Sequence, residues 1–327
     1  MSEAGGWPAG VVARPIDKGD VDALAVLYAA VEEAEDNGEN YDADDLLEEL
    51  ADPDLDLAAD TLALWSGDQI VGSAIVNCHP GAVETDRVSI GGFVHPSWRR
   101  RGLGRRLVSW GAERAQVLHL ARNPDVPGVL QIGGNVNTPG IAELAADFGM
   151  TPARYFFSME CDLAQPIPAV TEPDGLQLVA FDPKWDEATR VAHNTAFLDH
   201  WGSNPRDSEF WKRWVTEARA FRGPMSWLLL DGDVVASYAL GHEYVADTEA
   251  TGIRELYVGQ VGTLREYRGR GLARTVLASA LAAAKADGYE RASLGVDAEN
   301  PTGALGLYER LGFVVRRKFV SYNKPMA

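Results

Sequence analysis

Residues 256–313 read LYVGQVGTLREYRGRGLARTVLASALAAAKADGYERASLGVDAENPTGALGLYERLGF. The stretch opens with an apolar, β-branched run that predicts a strand, and a short loop at 268–273 leads from it into a helical pattern. A second strand pattern follows, and the Asn300-Pro301 pair predicts the start of a second helix, which contains Tyr308. The apolar positions of the first helix fall on one stripe, formed by Leu272, Val276, Leu277, Ala280, Leu281 and Ala284. The order strand, helix, strand, helix predicts an α/β fold.

The loop at 268–273 has the chemistry of a phosphate-binding site. Its residues are Arg268, Gly269, Arg270, Gly271, Leu272 and Ala273. A helix N-terminus offers unpaired N–H groups and a partial positive charge, and glycine lets the backbone approach a ligand closely. The arginines add positive charge beside the phosphates. The pattern therefore predicts that a phosphorylated cofactor binds where this helix begins.

Three landmarks occur twice in the same order, which indicates an internal duplication. Arg99, Gly102 and Gly104 repeat the spacing of Arg268, Gly271 and Ala273 at a distance of 169 residues. A hairpin turn at Gly67 recurs at Gly232, and the end of the last helix at Gly149 recurs at Gly312. We therefore predict two domains, 1–163 and 174–327, joined by the proline-containing linker 161–175.

These motifs resemble those of the GNAT (Gcn5-related) N-acetyltransferases. The resemblance implies two tandem copies of a mixed α/β sheet, acetyl-CoA as cosubstrate, and transfer of the acetyl group to a primary amine. Tyr308 lies where a tyrosine of this family often protonates the leaving thiolate, whereas the aligned residue of the first copy is Ala145. We therefore expect the C-terminal copy to be catalytic and the N-terminal copy to be degenerate.

The resemblance also implies which residues contact the cofactor. In this family the backbone N–H groups of the strand before the loop bind the pantetheine arm and polarise the acetyl carbonyl. The expected contacts in the second copy are Val261, Gly262, Thr263, Arg268, Gly269, Arg270, Gly271, Leu272, Ala273 and Asn300. The expected contacts in the first copy are Gly92, Phe93, Val94, Arg99, Arg100, Arg101, Gly102, Leu103 and Gly104.

Glu255 is the candidate general base. It lies two residues before Tyr257 on the predicted strand, so both side chains point to one face. It resembles the acidic residue that many family members use, directly or through water, to deprotonate the amine. The alternative is that Glu255 only forms a surface ion pair with its neighbour Arg254. No cysteine or serine nucleophile lies in the motif, so we expect direct attack of the amine on the thioester.

The net charge and the cysteine content limit the kinds of molecule that the protein is expected to bind. The net charge of −18 argues against nucleic acid and anionic membranes, and favours a small neutral or cationic substrate. Cys78 and Cys161 are expected to be buried thiols, and no metal-ligand spacing occurs. The first residues lack the pattern of a signal peptide, so we expect a cytoplasmic protein, either a monomer or a homodimer.

Three functions remain open at this stage. The two-copy layout is similar to that of the mycothiol synthases, tandem GNAT enzymes that acetylate a cysteinyl amine on a glucosamine-inositol. Another small amine is an equally plausible acceptor. A non-catalytic acetyl-CoA sensor is the third possibility, and Tyr308 argues against it because a sensor needs no acid.

Overall fold

The computed structural model describes residues 6–169, 171–198, 201–299 and 303–326. The chain forms two compact units. Unit 1 comprises Met1–Arg154 together with Phe319–Ala327, and unit 2 comprises Tyr155–Lys318. The expected domains, 1–163 and 174–327, differ from these units in where the closing strands belong.

Unit 1 is a mixed sheet with helices packed on it. Its strands are β1 (Val12–Arg14), β2 (Thr61–Ser66), β3 (Gln69–Asn77), β4 (Asp86–Gly91) and β5 (Gly128–Asn135), followed by the end of β12 (Val314–Pro325). They lie in the order β1-β2-β3-β4-β5-β12, and β4 and β5 run parallel while the other neighbours are antiparallel. Its helices are α1 (Val21–Glu35), α2 (Ala43–Glu49), α3 (Leu57–Asp60), α4 (Leu103–Arg122) and α5 (Ile141–Asp147).

Unit 2 repeats this arrangement. Its strands are β7 (Gln177–Ala180), β8 (Trp227–Asp231), β9 (Val234–His242), β10 (Glu255–Thr263) and β11 (Arg291–Asp297), together with the end of β6 (Thr151–Asp162). The order is β7-β8-β9-β10-β11-β6, with β10 parallel to β11. Its helices are α6 (Asp186–Ala196), α7 (Ser208–Trp211), α8 (Val245–Thr251), α9 (Leu272–Ala286) and α10 (Ala304–Arg310). A π-helical turn, Lys212–Thr216, continues α7.

The closing strand of each unit comes from the other repeat of the sequence. Phe319–Pro325, at the end of the second repeat, pairs with β5 of unit 1. Phe156–Asp162, at the end of the first repeat, pairs with β11 of unit 2. Unit 1 is therefore completed by a segment that lies far from the rest of it in sequence, whereas unit 2 is one continuous stretch that begins with the closing strand of the first repeat.

Local sequence explains the turns and helix ends. Gly67 and Gly232 have φ values of +60° and +59° in the two hairpins, a conformation in which a side chain would be strained. Gly288, with φ of +85°, directly follows the C-cap of α9, where a left-handed glycine commonly ends a helix. Both cysteines are buried and free, as expected. Within the described residues, no helix is long and apolar enough to cross a membrane.

Candidate active site

In unit 2 the two parallel strands separate at the edge where the cofactor loop begins. β10 pairs with β11 only from Glu255 to Tyr257, although both strands continue. Beyond Tyr257, β10 keeps its pairing with β9 on the other side, with a register shift between Val258 and Gln260. The separation leaves one edge of β10, from residue 258 to residue 263, without a partner strand. Unit 1 has the same feature, because β4 and β5 pair only as far as Ser89 and Gln131.

The hydrogen-bonding pattern identifies which N–H groups point into this cleft. The amide of Leu264 donates to Ala236 O on β9. Because successive N–H groups of a strand alternate in direction, the amide of Gly262 faces β9, and those of Val261 and Thr263 face away from it. The amide of Phe93 likewise donates to Ser73 O in unit 1, so Gly92 and Val94 are the outward donors there. The amides of Phe93 and Gly262 are directed into the sheet, so the amides among the predicted contacts that face the cleft are those of Val261, Thr263, Gly92 and Val94.

Gly262 and Gly92 have a steric role instead. A Cβ at Gly262 would lie 2.3 Å from the hydroxyl oxygen of Tyr238. A Cβ at Gly92 would lie 2.1 Å from the carbonyl oxygen of Ser73. Glycine at these positions lets the chain at Gly262 pack closely on β9, and the chain at Gly92 pack closely on β3.

The two cofactor loops share one backbone conformation. Gly269 and Gly271 have φ values of +77° and +78°, and the equivalent residues Arg100 and Gly102 have φ values of +63° and +80°. Arg100 adopts the left-handed conformation although it carries a side chain, so unit 1 keeps the loop geometry without the glycine. Neither N-cap residue, Gly102 or Gly271, has a side-chain hydrogen bond to the first turn of its helix. The first-turn amides of α4 and α9, which begin at Leu103 and Leu272, therefore have no side-chain cap, and an uncapped helix start is an arrangement that favours binding of an anion.

The first arginine of each motif braces the loop. Arg268 Nε donates to Thr263 O at 3.2 Å, and Arg99 Nε donates to Val94 O at the same distance. Arg268 also donates to Ala196 O, and Arg99 pairs with Glu35. Both side chains therefore tie the loop to the strand before it and to the helix α6 or α1.

The remaining loop residues leave room above the helix start. The guanidinium of Arg270 lies 5.8 Å from the ring of Tyr267, and the guanidinium of Arg101 lies 4.4 Å from the ring of Trp98. Leu103 and Leu272 are buried, so they can offer only their backbone to a ligand. At Gly104 a Cβ would meet nothing closer than 3.7 Å, which is consistent with Ala273 at the equivalent position.

Tyr308 lies on α10 with its ring buried and 8% of the residue exposed. Within the described residues its hydroxyl has no hydrogen-bond partner. Burial, and to a smaller extent the neighbouring Tyr257, raises the pKa of the Tyr308 phenol to about 12, so the phenol keeps its proton at neutral pH. The equivalent helix α5 carries the buried Ala145, and both helices follow a left-handed glycine N-cap, Gly303 or Gly140. Asn300 lies outside the described residues.

Glu255 lies at the start of β10, in the segment that is paired with β11. Its carboxylate accepts hydrogen bonds from Arg291 Nε and from the Ser293 hydroxyl. Arg254, the expected surface partner, pairs instead with Glu243 at 2.7 Å and with Asp287 at 3.1 Å. That alternative is therefore wrong, and the physical reason is the parallel register, which puts Arg291 directly beside Glu255.

The sequence did not single out three side chains of unit 2 that surround the outward strand. Tyr238 packs against Gly262, and its hydroxyl lies 2.8 Å from Nδ1 of His193. The hydroxyl of Tyr257 lies 3.5 Å from where a Cβ of Gly295 would be. Gly295 is on β11, two residues beyond the last residue that pairs with β10, so the phenol reaches the region where the two strands have separated. The strand alternation that paired Tyr257 with Glu255 was the available signal for Tyr257. Nothing local in the sequence marks His193 or Tyr238.

The chain matches known proteins over both units. The profile of the family described as "Acetyltransferase (GNAT) family" matches residues 24–123 and 187–313. A mycothiol acetyltransferase from Thermobispora bispora is 34% identical over 273 residues, which cover 80% of this chain and 83% of the relative. The mycothiol acetyltransferase of Salinispora arenicola is 33% identical over 71% of each chain.

Solved structures with the same fold include two that match nearly the whole chain. A GCN5-related N-acetyltransferase from Sphaerobacter thermophilus has a TM-score of 0.77 and 27% identity, covering 98% of this chain and 97% of its own. A tandem GNAT protein from the clavulanic acid biosynthesis pathway has a TM-score of 0.69 at 18% identity, covering 96% of this chain and 98% of its own, which shows a shared fold. The uncapped helix starts and outward amides fit the cosubstrate of that family. The chain belongs to the GNAT family, as a tandem N-acetyltransferase that uses acetyl-CoA as its cosubstrate.

Proposed function

We propose that unit 2 transfers the acetyl group of acetyl-CoA to the primary amine of a small molecule, and that unit 1 does not catalyse. The observation that carries this proposal is the contrast between Tyr308 and Ala145 on equivalent helices. Tyr308 offers a protonated hydroxyl without a partner within the described residues, whereas Ala145 has no acidic group. Both loops keep the anion-binding geometry, so unit 1 remains a second site for acetyl-CoA.

The side chains of unit 2 divide the reaction between them. The amides of Val261 and Thr263 donate to the pantetheine arm and to the acetyl carbonyl oxygen, where negative charge develops. Glu255, directly or through water, takes a proton from the attacking amine. A bond forms between the amine nitrogen and the carbonyl carbon, the carbon–sulfur bond breaks, and Tyr308 gives its proton to the leaving sulfur. The proton that Glu255 accepts is released to solvent, and Tyr308 regains one from solvent.

The test is the Tyr308→Phe variant, which keeps the ring and removes only the hydroxyl. We expect kcat to fall by about 10²–10⁴-fold, the range for loss of an acid–base group, while affinity for acetyl-CoA changes little. Tyr289→Phe is the matched control, because it removes a phenol that bonds to Glu243. Full activity of Tyr308→Phe, measured as free thiol released in the presence of amine, would contradict the role of Tyr308.

The names of the relatives favour one particular acceptor. The relatives at 34% and 33% identity are mycothiol acetyltransferases. The second candidate acceptor is therefore cysteinyl-glucosaminyl-inositol, the acceptor of the mycothiol synthases. Turnover with this compound, compared with a panel of other primary amines, decides between a mycothiol enzyme and an enzyme for a different amine. Mass spectrometry of the acetylated product identifies the nitrogen that is modified.

A further inference from the structure

Arg206 of unit 2 has a backbone that is fixed from both sides. Its N–H donates to Asn194 Oδ1 at 2.9 Å, and its carbonyl accepts from Asn194 Nδ2 at 2.9 Å and from Arg190 at 2.6 Å. Arg190 is itself oriented by Glu187, with Nε 2.9 Å from a carboxylate oxygen. Two side chains of α6 are thus used to hold one residue of the segment between α6 and α7. These hydrogen bonds fix the position of the backbone from which the Arg206 side chain extends.

The guanidinium of Arg206 has no partner of opposite charge. Within the described residues no carboxylate forms an ion pair with it, and none of its N–H groups donates a hydrogen bond. Its one described side-chain contact is with the ring of Phe210, whose centroid lies 5.7 Å away. The side chain is partly buried, and the loss of hydration lowers the pKa of the guanidinium. A guanidinium carries five donors, and leaving them unpaired away from water costs free energy.

The surroundings of Arg206 are those of the candidate active site. Asn194, which holds the Arg206 backbone, is next to His193 on α6, and Nδ1 of His193 lies 2.8 Å from the hydroxyl of Tyr238, whose ring packs against Gly262. Glu255, the carboxylate proposed as the base, is already paired with Arg291. The unpaired positive charge therefore lies beside α6 and near the strand that carries Gly262, and the proposed base, which is paired with Arg291, does not neutralise it.

We propose that Arg206 is a carboxylate-binding subsite, and that the acceptor carries a carboxylate in addition to its amine. The planar guanidinium fork matches a carboxylate in geometry and charge. A zwitterionic acceptor also avoids the repulsion that a net anion would meet from a chain with a net charge of −18. The inference rests on the proposed function and sharpens its substrate class. It also separates the two candidate acceptors, because cysteinyl-glucosaminyl-inositol has no oxyanion.

The experiment compares matched acceptors in the full-length protein. α-Amino acids are assayed beside their carboxamides, which keep the amine and lose the charge, and amino-sugar phosphates and cysteinyl-glucosaminyl-inositol are assayed with them. We expect kcat/KM to be about 10- to 100-fold higher for the acids than for the amides, a preference of roughly 1.4–2.7 kcal/mol. Arg206→Gln should abolish the preference by raising KM for the acids, while the affinity for acetyl-CoA in calorimetry is unchanged. Arg206→Lys should restore part of it.

Lys184→Gln is the matched control, because it removes one positive charge from a side chain that is 66% exposed. It should leave the preference intact. Equal activity toward acids and amides, a preference for the phosphates, or transfer only to the neutral sugar compound would overturn the subsite and leave the proposed function standing. Acetyl-CoA binding without transfer to any amine would refute the proposed function, and the subsite would fall with it. Loss of acetyl-CoA binding in both Arg206 variants would show that Arg206 has a structural role, which also overturns the proposal.

Discussion

Glu255 and Tyr308 illustrate how far single residues can be understood from sequence. Their places on a strand and on a helix follow from periodicity, and the structure has both elements, although α10 begins at Ala304 with Gly303 as its N-cap and not at the predicted Asn300-Pro301 pair. Their partners do not follow, because a partner is set by the register of strands that lie far apart in sequence. Arg291, which lies 36 residues from Glu255 along the chain, holds its carboxylate, while the adjacent Arg254 turns to Glu243.

The pH dependence of the rate tests Glu255. Glu255→Gln removes the proton acceptor and keeps a side chain of similar size that can bond to Ser293. We expect the rising limb of the kcat/KM profile to shift to higher pH, because more of the amine must then lose its proton in solution. The measurement is the pH–rate profile with saturating acetyl-CoA. An unchanged profile would exclude Glu255 as the base and leave solvent as the proton acceptor.

His242 provides a second pH-dependent prediction, on stability. Burial lowers the pKa of this imidazole to about 4, below its value of about 6.5 in the unfolded chain. The unfolded state therefore binds the proton first, so the stabilisation is present above pH 6.5 and is lost as the pH falls towards 4. The loss amounts to about 3 kcal/mol at most.

Hydrogen exchange of β8 and β9 at pH 7 and pH 4.5 measures this effect. In His242→Gln the difference between the two pH values should shrink. In His79→Gln, which changes a side chain that is 43% exposed, the difference should remain. An equal pH response in all three proteins would contradict the assignment.

At the scale of elements, the strand–loop–helix unit is the part of the molecule that the sequence predicts best. Its geometry depends on local rules: glycine at left-handed positions, an uncapped helix start, and one apolar stripe on the helix. The same rules predicted the loop of unit 1, where Arg100 and Gly102 adopt the left-handed conformation. They could not predict that Phe93 and Gly262 turn their amides into the sheet, since that depends on the register with β3 and β9.

Two glycines at opposite ends of α9 provide a matched test of the loop. Gly271 and Gly288 have φ values of +78° and +85°, and a Cβ at either would meet nothing within 4 Å. Valine at either position should cost a similar backbone strain, about 1–2 kcal/mol. Only Gly271→Val should weaken acetyl-CoA binding to unit 2, by about 10- to 100-fold, or roughly 1.4–2.7 kcal/mol.

Calorimetry of the full chain also counts the sites. With both loops intact we expect two molecules of acetyl-CoA per chain, and Gly102→Val should remove one of them. A stoichiometry of one in the unchanged protein would show that the loop of unit 1 retains its shape without a ligand.

At the scale of the whole molecule, the sequence predicted the duplication but not the composition of the units. The closing strands β6 and β12 follow equivalent helices, and nothing in their own pattern says which sheet each completes. The choice depends on contacts between residues more than 150 positions apart, such as the pairing of Val320 with Gly134. This is the kind of information that local periodicity does not contain.

A substitution in β12 tests the composition of unit 1. Val320 is 3% exposed and belongs to unit 1, although it lies in the second repeat. Val320→Asp should cost unit 1 about 3 kcal/mol or more through lost apolar burial and a buried charge. Hydrogen exchange should rise in β2, β3 and β5 but not in β8 and β9. Lys324→Asp, at an exposed position of the same strand, should leave both sets protected. Exposure of β8 and β9 instead would contradict the assignment of this segment to unit 1.

The origin of the strand beside β5 bears on how the protein is made. The ribosome delivers the first repeat long before residues 319–325 leave it, so this edge of β5 stays unpaired until the whole second repeat has been translated. An open strand edge is a template for pairing with other chains, so nascent molecules should be most prone to self-association during that interval. In the sheet of unit 2, by contrast, the segment 156–162 is already present when β11 emerges. The repeat that is synthesised first is therefore the one whose sheet is finished last.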